Sequence, residues 1–259
     1  MKKTVPILLL VILFAAAAWY SFVKEPEPIS ELTPPQLPAD TPVDVQQAEP
    51  QLEDVVAQVE PEIIPDPLPL LNESDPEITR ALAEITGADP LAEYLVKSEA
   101  ISRMVATVDA LTSRQVPAQI NPIKPAGGKF VTEKDGESII MSADNFARYD
   151  GYVTLLQNVD SDALAALYQH YYPLIQQAWE QNGGEGSLNE RLLEVIDHLL
   201  QTPDVPGPVY LTKPEAVYLF EDPELEAMSA GQKILVRMGS ANAAVVKEKL
   251  LELSTELNQ

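Results

Sequence analysis

Between Ser161 and Asn182 apolar residues recur at steps of three and four: Leu164, Leu167, Tyr168, Tyr171, Leu174, Ile175, Ala178 and Trp179. That spacing gathers them on one stripe of a helix, and a stripe so aromatic needs other elements to cover it. Asp160 offers an N-cap carboxylate and Gly183-Gly184 a stop. Pro173, inside the run, predicts a bend because it lacks an amide proton and crowds the carbonyl one turn back.

The same periodicity predicts helices over 76–86, 90–97, 98–112, from Ser142 to about Gln157, 188–201, 223–238 and from Ser240 onward. The pairs Asp75-Pro76, Asp89-Pro90 and Asp222-Pro223 mark three of the starts. Aspartate caps the free amides, and proline at the first helical position gives up a bond the helix never had. Ser187 with Glu190 reads as a capping box. Ile101, Met104, Val105, Val108 and Leu111 form one buried face; Val246, Leu250, Leu253 and Leu257 form another.

Helical period gives way to extended patterns twice. Lys129–Lys134 and Glu137–Ser142 flank Asp135-Gly136, a hairpin signal because both residues tolerate positive φ at the centre of a turn. Val209–Leu211 and Ala216–Phe220 read as a second hairpin, after the proline-marked loop at 203–208. The expected fold is therefore α+β and mainly α: a compact helical domain, 71–259, with two small β-hairpins.

Ahead of that domain the pattern differs. Val5–Val23 runs nineteen residues without a charge, behind Lys2 and Lys3. At about 1.5 Å per residue it spans roughly the 30 Å hydrocarbon core. Residues 1–23 are thus read as a single transmembrane helix, with Trp19 and Tyr20 at the interface; the competing reading is a signal peptide cleaved near Ala15–Ala18. The leading lysines predict a cytoplasmic N-terminus and an exported body. Residues 24–70 hold eleven prolines and eleven acidic residues against one lysine. Such a stretch cannot bury enough apolar surface to offset its ordering entropy, so it is read as a disordered, extended tether.

Charge narrows the function classes. Of the net −23, residues 1–23 carry +2, residues 24–70 carry −10 and residues 71–259 carry −15. So acidic a body repels nucleic-acid phosphates. The absence of cysteine excludes disulfides, thiolate nucleophiles and cysteine–zinc sites. No phosphate loop, nucleophile elbow, metalloprotease helix or dinucleotide fingerprint occurs, and no cofactor or metal is expected.

What remains is polar clusters. Asp197 and His198 are the catalytic candidates, with Glu194 and Arg191 on the same helix flank as His198. Glu194 and His198 alone give two metal ligands, too few for zinc. His170, beside Tyr171, reads as structural. Asn145, Arg148 and Tyr149 fall within one helical turn, and Lys233 and Arg237 sit four apart on an otherwise apolar helix. Like charges at that spacing repel, so an anion is expected nearby. Two accounts compete: Arg148, Arg191 and Arg237 pair with internal carboxylates such as Asp150, Asp197 or Asp222, or the clusters form a small electropositive pocket for a carboxylate or phosphate group.

The strings N-F-A-R-Y-D (145–150), Y-P-L (172–174), N-E-R-L-L-E-V-I-D-H-L-L (189–200) and G-Q-K-I-L-V-R-M-G (231–239) resemble a bacterial envelope family known only as domain of unknown function 3014. The likeness runs from about Leu68 to Leu257 and includes the anchor-and-tether start. It implies a domain exported from a bacterial cytoplasm and tethered to the inner membrane, and it carries no activity. The expected function is a non-enzymatic binding module, exposed in the periplasm, that engages an envelope protein or an anionic ligand. The alternatives are an unrecognised hydrolase using Asp197 and His198, and a homo-oligomeric scaffold.

Overall fold

A computed structural model describes residues 68–86, 98–123, 128–159, 161–215 and 217–257. The expected transmembrane run, the tether ahead of Leu68 and the helix at 90–97 lie outside those residues. Among the described residues no helix is long and apolar enough to cross a membrane.

The helices are α1 (Asp75–Thr86), α2 (Ala100–Ala110), α3 (Asp150–Asn158), α4 (Ser161–Gln181), α5 (Leu188–Leu200), α6 (Pro223–Ala227), α7 (Ala230–Arg237) and α8 (Gly239–Leu257). The strands are β1 (Thr132–Asp135), β2 (Ser138–Met141), β3 (Tyr210–Thr212) and β4 (Leu219–Phe220). A seven-residue 3₁₀ helix, Ala143–Tyr149, leads straight into α3, and Ser142 caps it by accepting the Asp144 amide.

Helix α5 is the axle of the helical part. Leu188, Leu192, Val195 and Ile196 are wholly buried, and α5 packs against α2, α4 and α8. The aromatic stripe of α4 behaves as its period predicts, with Tyr168, Tyr171, Leu174, Ile175, Ala178 and Trp179 all buried. Pro173 lies within a helix that continues on both sides of it. A second, smaller apolar cluster, built on Met141, Val209, Leu211, Phe220 and Val236, sits beneath the sheet.

Several expectations need correction. The two hairpins are one antiparallel sheet of order β1-β2-β3-β4, joined by Ile139 opposite Leu211 and Ile140 opposite Tyr210. The first hairpin turns one residue later than Asp135-Gly136: Asp135 pairs with Ser138, leaving Gly136-Glu137 at the bend, and Gly136 supplies the positive φ of +60°. The expected helix over 223–238 is two helices. Ser229 and Gln232 form a capping box that starts α7 afresh, and that local signal outweighs the apolar continuity through Leu225 and Met228. Ser187 caps α5 through the Asn189 amide, one residue short of the box geometry. Ser240 is not a cap: its hydroxyl donates to the Val205 carbonyl, and α8 begins at Gly239. Glycine is required there twice over. Its φ is +81°, and a Cβ would stand 2.8 Å from the Phe146 ring.

Asp75 is also not the N-cap it resembles. It is the first residue of α1, and its carboxylate reaches across to accept the amides of Glu99 and Ala100, both at 2.7 Å. It therefore caps α2, whose entry residue Glu99 holds a left-handed φ of 53°. At the far end of α2 the Leu111 and Ser113 carbonyls accept the first amides of α7, from Gly231 and Ala230. The positive end of one helix thus meets the negative end of another.

Candidate functional site

The residues marked by the sequence divide between the seam under the sheet and the helical joint around α5. At the seam, Asn145 is buried and used to capacity. Its Nδ2 donates to the carbonyls of Val131 (2.6 Å) and Ser142 (2.8 Å), and its Oδ1 accepts the Val131 amide at 3.0 Å. It imitates a strand partner, tying the start of the sheet to the 3₁₀ helix. Arg148 follows one turn on, with Nη1 3.5 Å from Asn145 Oδ1 and Nη2 3.4 Å from the Gly128 carbonyl. Asn145→Ala leaves a strand amide and carbonyl without their partner. It should cost about 2–3 kcal/mol, read as a lower denaturation midpoint with an unchanged m-value.

Tyr149, Lys233 and Arg237 complete the seam. Burial pushes the Tyr149 phenol up, against the opposing pull of the Arg148 and Arg237 charges. Lys233 is 8% exposed, and its ammonium pairs with the Glu226 carboxylate. The other oxygen of Glu226 accepts the Phe220 amide at 2.9 Å, so one side chain holds both α7 and β4. Arg237 is 5% exposed, with its guanidinium carbon 5.2 Å from the centre of the Phe220 ring. Burial lowers its pKa to about 10, resisted by the nearby Tyr149 and Glu226. The anion anticipated beside Lys233 is therefore Glu226, which the sequence reading did not single out. Asp222, offered as a partner for these cations, instead caps α6 by accepting the Glu224 amide.

The joint around α5 holds the others. Arg191 Nε donates to Asp109 (2.8 Å), Nη1 to Glu194 (2.9 Å) and Nη2 to the Thr112 hydroxyl (2.8 Å), which stitches α5 to the end of α2. Burial works against its charge, but the bonds to Glu194 and Asp109 outweigh it and leave the pKa raised. Its carboxylate partner across the helices is Asp109, rather than the Asp197 or Asp150 anticipated. Asp197 is exposed on the helix surface. His198 turns inward: its Nε2 lies 2.8 Å from Ser229 Oγ, and its carbonyl accepts Gln232 Nε2. His170 is exposed, with its ring edge-on to Tyr171.

A serine–histidine hydrogen bond is half of a nucleophile–base pair, and the sequence reading missed it. The S-A-G-Q string at 229–232 was the available signal. Here the hydroxyl is buried and already accepts the Gln232 amide as the cap of α7, so His198 fastens a helix start to α5. Arg237 stands at the other end of α7, about 10 Å along the axis at about 1.5 Å per residue. Lys233 lies between them, one turn from Ser229, whose carbonyl accepts its amide at 2.9 Å. Among the described residues no group of three or more His, Asp or Glu side chains could hold a metal ion.

Among the described residues no apolar cluster lies over the sheet's other face. Strand alternation turns Ile140, Tyr210 and Leu219 away from the cluster beneath the sheet, together with Val131 ahead of β1. Val131 and Tyr210 are each 39% exposed. The Tyr210 hydroxyl donates to Asp135 at 2.9 Å, and that bond, with the nearby charge of Glu221, raises its pKa.

No curated protein and no solved structure matches the chain. One family model does, over residues 100–254, and it begins and ends inside the helical domain described above. The chain belongs to the family described as protein of unknown function (DUF3014).

Proposed function

We propose that this protein is a non-enzymatic binding module of the bacterial envelope. Residues 5–23 anchor it in the inner membrane, residues 24–70 hold it outward, and the domain from residue 71 is presented in the periplasm to another envelope protein. The apolar run, the leading lysines and the proline-rich acidic stretch support the placement. One observation carries the binding role: two of the cations that could have built an anion pocket are committed inside the fold, Lys233 to Glu226 and Arg191 to Asp109. The chemistry left for a partner therefore lies on the surface, where the sheet shows half-exposed aromatic and aliphatic side chains. The test is chemical crosslinking of whole cells carrying the tagged full-length chain, followed by membrane fractionation. Recovery of one reproducible partner in the inner-membrane fraction is expected. Finding the chain in the cytosol, or finding it crosslinked to nothing reproducible, would overturn the reading.

A further inference from the structure

The outer face of the sheet combines two kinds of surface. Ile140 and Tyr210 stand opposite one another across β2 and β3, Leu219 opposite Thr212 follows on β4, and Val131 extends the row past β1. None of these side chains belongs to either apolar core. Around them stand carboxylates. Glu133 pairs with Ile140 on β1, Asp135 accepts the Tyr210 hydroxyl, and Glu221 donates its amide to the Tyr210 carbonyl. Strand alternation places Glu133, Asp135 and Glu221 on this same face and sends Lys134 to the other.

The edge of the sheet is the poorer candidate. β1, at the margin, carries Glu133, Lys134 and Asp135, all exposed, and charged edges discourage strand addition. A partner should therefore lie across the face. A second copy would bring the same carboxylates against their like, in a domain that already carries −15 over 71–259. An anionic lipid surface would be repelled for the same reason.

We infer that the outer face of this sheet is a docking surface for a cationic, apolar-rich segment of another protein, with Tyr210 as the platform and Asp135, Glu133 and Glu221 as the charged rim. This rests on the binding-module reading and names the partner chemistry for it. An arginine or lysine laid over the exposed phenol ring gains a cation–π contact, and the carboxylates beside that ring pair with it. Apolar residues flanking the cation meet Val131, Ile140 and Leu219. In an extended segment, alternate side chains about 7 Å apart match the spacing of positions two apart on a strand.

The probe is a pair of labelled synthetic peptides of equal length, one repeating Arg-Ser-Val-Ser and the other Glu-Ser-Val-Ser, so that charged and apolar side chains alternate on one face of the extended peptide, each titrated into the full-length protein. The arginine peptide should bind, and its binding should weaken as salt rises from about 50 to about 200 mM. The glutamate peptide should not bind. Tyr210→Ala, and separately the pair Asp135→Asn with Glu221→Gln, should each weaken the arginine peptide about tenfold and leave the melting temperature within a few degrees of the parent. The control pair Glu248→Gln with Glu252→Gln, on α8, should leave binding unchanged.

Equal loss in the control pair would reduce the effect to overall acidity and overturn the assignment, as would no preference between the peptides. Sedimentation showing a dimer that Tyr210→Ala dissociates would make a second copy the occupant and overturn it too. Should crosslinking in cells recover a partner whose capture is indifferent to Tyr210, Leu219 and Asp135, the binding-module reading stands and this face is the wrong one.

Discussion

Full-length protein carrying Ile78→Ala and Leu82→Ala should lose at least about 4 kcal/mol of stability, since each truncation of a well-buried aliphatic costs about 2–5 kcal/mol. Both side chains lie on α1 and are 3% and 2% exposed within the main core. They sit one turn apart, so their effects will not simply add. Against a typical total of about 5–15 kcal/mol the loss is a large fraction, and it should lower the thermal midpoint by about 10 °C or more. The family match begins at residue 100, yet α1 precedes it, packs on α2 and α4, and gives the Tyr171 hydroxyl its acceptor, Glu77, at 2.6 Å. The folded unit is thus longer than the matched segment. A double variant that melts within about 1 kcal/mol of the parent would make α1 an appendage, a cost too small for two filled core positions.

Glu226→Ala should cost about 3–5 kcal/mol, because it strands a buried ammonium and removes the acceptor of the Phe220 amide. Lys233→Met should cost less. The carboxylate it leaves behind is 29% exposed and can recruit water, and the new side chain fills the vacated volume. The double variant Glu226→Gln with Lys233→Met should recover most of what Glu226→Ala loses, since glutamine can still accept from the strand and no charge is left behind. Denaturant melts of the four proteins decide this. Equal losses for Glu226→Ala and the double variant would show that the packing of the seam, rather than the pairing of charge, holds α7 to the sheet.

Much of this architecture was legible in the sequence because it is local. The stripes of α2, α4 and α8, the proline-marked starts of α1 and α6 and the glycine stop after α4 each need only a window of a few turns. What escaped depends on partners distant in sequence. The union of the two hairpins is made by Ile139 and Leu211, whose pairing no turn signal specifies. Asp75 looks like the cap of its own helix and serves another 25 residues on. Asn145 has the composition of a binding residue and the geometry of a strand partner. The break before α7 was legible and overlooked, since S-A-G-Q is a local signal set within apolar positions that favour one long helix. The outer face of the sheet also left a trace. In Ser138-Ile139-Ile140-Met141 three apolar residues follow one another, so at least one of them must point away from a core on a single side.

The junction between α1 and α2 has a mechanical consequence. A pull along the chain ahead of Leu68 enters the fold at the start of α1, a few residues from Asp75, whose carboxylate grips the two amides at the head of α2. Load applied there would be shared at once with a helix that rests on the central α5, and α1 would not peel off one turn at a time. Stretching the molecule from its N-terminal side should therefore give a single abrupt yield, and Asp75→Ala should convert it into a softer, earlier one.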